Sequence, residues 1–433
     1  MNKMIEKYAP ALGEKYYQLR HKSGLDIYVF PKKLTVTYAL FATKYGAIDN
    51  CFCVENGETV SVPDGIAHYL EHRMFTQADG SDITECFSEY GADSNAYTTY
   101  TKTAYLFSCT ENFEKSLGAL LDFVTEPYFT DELVEKERGI IVQEIKMCHD
   151  DPYDRCFLGL LEALYQKNGV RTDVVGTEES VSRITADMLN HCYRTFYTPN
   201  NMALIVCGDV TPERVMRVAN KTLPKNFASV SVKRVYPDEP RALAAPLKET
   251  YMNVSKPIFS IGIKDVDFAG DAIQRSKRDA TMSVLCEVLF SRSGEFYNRL
   301  FEEGIITPEF SYGYSISETF AFVSVSGEAD DPHLVLEEMK KHVKKAKENG
   351  ISREDFERCR RVLYADYVKG FDSTEEIANN MLELLFDGGD ILEYGEVLNT
   401  VTFEEVGALL RNAFEEDLFA MSVVYPDTQE RKE

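Results

Sequence analysis

The sequence has no tryptophan, no CxxC pair and no run of about 18 uncharged apolar residues. The last absence argues against a membrane-spanning helix. The opening MNKMIEKYAPALGEKYYQLRHK is charged throughout and has no apolar core of signal-peptide length, so a soluble, cytoplasmic protein is expected. Cysteines are scattered, with one CxC at Cys51 and Cys53, and read as reduced core thiols, not as a disulfide framework or a zinc ribbon. No glycine-rich phosphate loop and no GxSxG elbow occurs, which removes two large enzyme classes. Positive charge is also scarce. With 47 Lys and Arg against 71 Asp and Glu, the net charge is -24, which repels nucleic acid and anionic membranes and favours a basic or neutral peptide.

What is present is enough to fold. A chain of 433 residues that is 44% hydrophobic, with 25 Tyr and 26 Phe, exceeds one ordinary core and predicts two. The proline-bearing stretch 221–249 lacks helical periodicity and reads as a linker between an N-terminal lobe, 1–220, and a C-terminal lobe, 250–433. The strand-like NMALIVCGDV, followed by the helical TPERVMRVANKTL, closes the first lobe, and LFAMSVVYPD closes the second. TAYLFSC with its two following helical segments matches TFAFVSVSGEA with its two. The fold class is therefore α+β, two homologous lobes, each a mainly antiparallel sheet covered by helices on one face.

Chemistry concentrates in GIAHYLEHRMF, 65–75. Residues four apart share a helix face, so His68 and His72 can present imidazoles to one ion, with Glu71 beside them. Ile66, Ala67, Leu70 and Met74 form the opposite stripe, so the polar trio is expected to face away from the core, with Asp64 as the cap. In DELVEKERGIIVQEIKMCHDD, Glu137 and Glu144 are nearly eclipsed within a stripe of Ile140, Ile141, Met147 and Cys148. Carboxylates on an apolar face need a cation: zinc and its histidines, or else Arg138 and Lys146. A catalytic zinc requires three protein ligands and an open position. The second lobe has VLCEVLF in place of YLEHRMF, and Cys359 and Asp366 near the positions of Glu137 and Glu144, so the metal site belongs to the first lobe. His333 and His342 look solvated on a charged helix, and His149, His21 and His191 do not look like ligands.

HYLEH, with Glu144 following His72 by 72 residues and GADSNAYTTYTKTAY between, resembles the pitrilysin and insulinase family of zinc metallopeptidases. It is closest in type to the small bacterial two-lobed members similar to mitochondrial processing peptidase. The resemblance implies two lobes enclosing a chamber, a zinc ion on His68, His72 and Glu144, Glu71 as general base and Glu137 as a carboxylate orienting a ligand histidine. It also implies that Asn95 and Ala96 lie on a sheet edge where extended peptide adds as a strand. Self-sufficient members carry an Arg and a Tyr in the second lobe. Here Phe301 and Thr307 stand near those places, with Arg299, Tyr312 and Tyr314 as nearby substitutes. The expected protein is thus a zinc endopeptidase working with a homologous partner chain as a heterodimer, or as a homodimer. The alternative is a non-catalytic scaffold subunit of a peptidase-like heterodimer.

Overall fold

The computed structural model describes residues 4–54, 57–78, 80–225, 227 and 229–427. Strands β1 (Met4–Ala9), β2 (Glu14–Arg20), β3 (Asp26–Pro31) and β4 (Thr37–Thr43) lead into a short pair, β5 (Cys51–Val54) and β6 (Val60–Ser61). Helices α1 (Ile66–Met74) and α2 (Ile83–Glu89) precede the hairpin β7 (Ala92–Thr98) and β8 (Thr103–Cys109). Then come α3 (Phe113–Thr125), α4 (Asp131–Asp150), α5 (Pro152–Leu164), α6 (Glu178–Ser182), α7 (Ala186–Phe196), β9 (Met202–Gly208) and α8 (Pro212–Thr222).

After β10 (Val232–Arg234) the pattern restarts with β11 (Leu247–Met252), β12 (Ile258–Lys264), α9 (Ala272–Phe290) and α10 (Glu295–Glu302). The hairpin β13 (Ile306–Ile316) and β14 (Ala321–Ala329) follows, then α11 (Pro332–Asn349), α12 (Arg353–Lys369), α13 (Thr374–Phe386), α14 (Tyr394–Thr400), α15 (Phe403–Asn412) and β15 (Phe419–Pro426). The stretch 221–249 therefore takes in the end of α8 and the start of β11, and its β10 is pinned to β5.

The two large sheets share one topology. The first runs β1-β2-β3-β9-β4-β8-β7 and the second β11-β15-β12-β14-β13. Each has a single parallel pair, β3 with β9 and β11 with β15, and every other pairing is antiparallel. Superposing the orders matches β3, β9, β4, β8 and β7 to β11, β15, β12, β14 and β13. The duplicated α+β unit read from the sequence is present.

One expectation is corrected: both faces of each sheet are covered, not one. Ala39 and Phe41 of β4 and Leu204 and Val206 of β9 point into a core with α1, α3 and α7. Their neighbours Tyr38, Leu40, Ile205 and Cys207 point the other way, against Ile377, Ala378, Met381 and Leu382 of α13, a helix of the second lobe. The exchange is reciprocal. Helix α5, from the first lobe, lies on β11, β12 and β15, where Leu160, Leu161 and Leu164 are fully buried. At Gly262 of β12 an added Cβ would sit 2.8 Å from a Leu160 Cδ and 2.9 Å from a Leu164 Cδ, so the two leucines pack directly on bare backbone and a side chain there would displace them. Burial on two faces explains why MALIVCG reads as an unbroken apolar run without the alternation of a half-exposed strand, and why Ser260 and Lys264 of IFSIGIK are buried along with its apolar residues.

Where the lobes meet, the turns of the two matching hairpins come together. Tyr100 and Phe320 are in edge-to-face contact, and a cavity of about 480 Å³ opens between Thr99–Lys102, the start of α9 and the end of α13.

Candidate metal centre

Helix α1 begins at Gly65, whose φ of 84° and close approach to the Val175 carbonyl exclude a side chain. No side chain caps it. Asp64, expected as the cap, instead accepts a hydrogen bond from Asn50 at 2.7 Å. The helix is packed by Ile66, Ala67, Tyr69, Leu70 and Met74, and the Tyr69 hydroxyl donates to the Val134 carbonyl of α4. Helix α4 thereby lies across α1.

Two of the polar trio do not face solvent, and His72 is half-buried. His68 and Glu71 are each 7% exposed, a correction with a simple cause: α4 and β7 cover the face that the sequence left open. From α4, Glu144 Oε1 lies 3.5 Å from His68 Nε2 and its Oε2 lies 3.1 Å from His72 Nε2. Donor atoms of His68, His72 and Glu144 all lie within 4.8 Å of one another. Glu137, two turns earlier, places Oε1 3.2 Å from His72 Nδ1 and Oε2 3.3 Å from Arg73 Nη1. Arg138 and Lys146 pair elsewhere, with Glu135 and Glu178. The apolar stripe expected around these glutamates is half wrong: Ile141 is buried, whereas Ile140 is 52% and Met147 69% exposed.

The electrostatics call for a cation. His72 donates Nδ1–H to Glu137, which turns its Nε2 toward the buried Glu144 Oε2 at 3.1 Å. Burial opposes a charge on His72, yet bonds to Glu137 and Glu144 push its imidazole up to about 10. Bonds to His68 and His72 hold Glu144 well below the usual carboxylate range. Against the cost of burial, His72 and Arg73 hold Glu137 low as well. A divalent ion answers the same demand with both imidazoles neutral, and two His with one carboxylate is a donor set suited to zinc with a position left open. The residues present fit that metal.

Glu71 stands apart from this set. Burial raises its carboxyl above the ordinary value, although His68, Thr98 and His72 oppose the shift, and its Oε2 accepts from Thr98 Oγ1 at 2.6 Å. Thr98 ends β7, the edge of the first sheet. Asn95 and Ala96 lie on the same strand. Asn95 is exposed, and its side chain accepts the Ala96 N–H at 2.9 Å. Tyr97, pointing the other way, donates to Asn379 of α13 at 2.8 Å, and Lys102 of the turn pairs with Glu383. The second lobe thus braces the edge strand from behind.

Family models match residues 53–178, as insulinase (peptidase family M16), and residues 183–363, as the peptidase M16 inactive domain. The chain is 38% identical over 419 residues, 96% of its length and 97% of the relative's, to the uncharacterized zinc protease YmfH of Bacillus subtilis. The chain belongs to peptidase family M16. An M16-like peptidase from Alicyclobacillus acidocaldarius, 34% identical, superposes with a TM-score of 0.92 over 98% of this chain and all of that one. A protease from Helicobacter pylori shares the fold at 15% identity, with a TM-score of 0.79 and coverage of 95% and 100%.

In this M16 chain the HYLEH helix and Glu144 fall within the insulinase match, and the inactive-domain match begins after them. The second lobe supplies no further group to the cluster among the bonds described. Arg299 pairs with Glu303 and Glu338, the Tyr312 hydroxyl donates to Glu287, and the Tyr314 hydroxyl donates to Asp265. Phe301 is 45% exposed, and Thr307 accepts from the Glu309 N–H of its own strand at 3.2 Å. His342, expected to be solvated, is half-buried beside Phe296, and burial lowers its imidazole. His149 and His333 are exposed.

Two residues of the cluster went unnoticed in the sequence. Thr98 was one of several threonines in a strand-like run; the alternation of Tyr97 and Thr98 to opposite faces is its only signal. Arg73 carries no local signal, because only the structure shows that this helix is buried around it.

Proposed function

We propose that this chain is a zinc-dependent endopeptidase that hydrolyses peptides or unfolded, leader-type segments bound in extended form. The convergence of His68, His72 and Glu144 within 4.8 Å, with buried Glu71 beside them and the edge of β7 adjacent, carries this reading. His68, His72 and Glu144 would hold the zinc, which when bound would polarise the scissile carbonyl and make water acidic. Thr98 occupies Oε2 of Glu71, so Oε1 is the atom that takes the water proton and passes it to the leaving amine. Glu137 keeps the His72 proton on Nδ1. Rotation of the Asn95 side chain frees the Ala96 N–H for a peptide carbonyl, and the substrate extends the sheet as one more strand.

The engagement of Arg299, Tyr312 and Tyr314 within the second lobe favours a homologous partner chain as the source of the Arg and Tyr contacts. The lobe boundaries at 220 and 250 belong to the same reading. All the cysteines are free, which suits a reducing compartment such as the cytoplasm, and no helix among the described residues is long and apolar enough to cross a membrane.

The test is cleavage of a mixed peptide pool by the zinc-loaded chain, alone and with a homologous partner, beside a chelated control and Glu71→Gln. Zinc content near one per chain, chelator-sensitive cleavage and a loss of about 10²- to 10⁴-fold in Glu71→Gln are expected. A chain that binds no zinc, or whose function in the complex is indifferent to Glu71→Gln, is a scaffold.

A further inference from the structure

Arg73 is 1% exposed, directly follows a candidate zinc ligand, and has no place in the chemistry described above. A guanidinium this deep is unfavourable unless paired, so its partners define its purpose. Nη1 lies 3.3 Å from Glu137 Oε2, Nη2 donates to the Tyr128 carbonyl at 3.4 Å, and Nε has no acceptor. The other Glu137 oxygen is 3.2 Å from His72 Nδ1.

Glu137 is therefore held between an arginine and a ligand histidine, one oxygen to each. Consecutive helix residues point about 100° apart, so a carboxylate that meets residues 72 and 73 together comes from an element packed against α1 and not from α1 itself. Helix α4 provides that approach and carries Glu144 two turns further on. An unsupported Glu137 could turn about its own side-chain bonds and release His72. Arg73 prevents this by fixing the second oxygen, and a planar fork that also reaches the Tyr128 carbonyl sets direction as well as charge.

We propose that Arg73 is a positioning residue of the metal centre: acting through Glu137, it fixes the His72 ring and the proton on Nδ1, leaving Nε2 as the ligand atom. The inference rests on the zinc reading above. Its rival is an ion pair that stabilises the contact between α1 and α4 and leaves the metal unaffected.

The two separate in a double-mutant cycle on the full chain: wild type, R73M, E137Q and R73M/E137Q. Zinc affinity is measured by competition with a chromophoric chelator, and thermal unfolding is measured on the zinc-free proteins. Each single change is expected to weaken zinc about 10- to 100-fold, the double no more than the worse single, and R73K less than R73M. Losses that multiply in the double variant overturn the proposal, as does an R73M affinity within about threefold of wild type whatever its unfolding temperature. If R73M does not fold, R73K takes its place in the cycle under the same criteria. Wild type without zinc affinity overturns the metal reading, and the proposal with it; tight wild-type binding that R73M shares overturns the proposal alone.

Discussion

Thr98 Oγ1 donates to Glu71 Oε2 at 2.6 Å, and this bond ties the open edge strand to the helix that carries both histidines. It couples substrate-binding strand and general base in the proposed reaction. A hydrogen bond to a charged group is worth about 1.5–3 kcal/mol, so Thr98→Val should lower kcat roughly 10- to 100-fold while KM and zinc content hold. Burial holds the Glu71 carboxyl high and Thr98 pulls it down, so losing Thr98 raises it further. The acidic limb of the kcat/KM profile should move to higher pH, and Thr98→Ser should restore it. A change confined to KM would show that Thr98 serves the substrate and not the base.

Arg299 and Tyr314 are the second-lobe residues nearest in type to a missing pair of substrate contacts, yet both are spoken for. Arg299 is bonded to Glu338 at 2.7 Å and Tyr314 to Asp265 at 2.6 Å. Arg299→Ala and Tyr314→Phe should leave peptide cleavage by the zinc-loaded chain, with or without its partner, within about twofold of wild type. A fall of a hundredfold or so in kcat for either would place that side chain at the scissile bond and remove the need for a partner to supply it.

Asp279 lines the cavity between the lobes and receives the Tyr394 hydroxyl at 2.7 Å. Burial, opposed by Tyr394 and assisted by Asp387 and Glu383, pushes its carboxyl up to about 6. The folded chain then keeps a proton that the unfolded chain has lost between about pH 4 and pH 6, so stability falls as pH rises through that window and stays lower above it, by at most about 3 kcal/mol. Asp279→Asn still accepts from Tyr394 and carries no charge. Its unfolding temperature should match wild type near pH 4 and exceed it at pH 7. Equal curves at both values would mean that the cavity solvates the carboxylate fully.

The candidate metal-ligating residues were legible in the sequence because helical spacing and inward-facing carboxylates are local patterns. His68 and His72 need only one helix to be read, and Glu137 with Glu144 only another. The same local view misplaced the trio on an open face, since what covers it is α4, folded back from some 60–80 residues downstream. Ile140 and Met147 were read as core because they share a stripe with Ile141, yet only the Ile141 side of α4 meets α1. The continuous apolar run of β9 was the one available sign of two-sided burial, and nothing local could say that each second cover comes from the other lobe.

That exchange makes a prediction about cooperativity. Leu160 belongs to α5 of the first lobe but is fully buried against Gly262 and its neighbours in the second sheet, while α13 of the second lobe covers the first sheet. Leu160→Ala leaves a void in a contact where glycine already allowed the closest approach, and the expected cost is about 2–5 kcal/mol. If each lobe needs the other's helix, the loss falls on both: amide exchange in β9 should accelerate along with that in β12, and unfolding should stay a single transition. Faster exchange in β12 alone, with β9 unchanged, would show two lobes that fold independently and merely touch. A shared response would mean that the two sheets move as one body, so that access to the β7 edge cannot depend on a hinge between them.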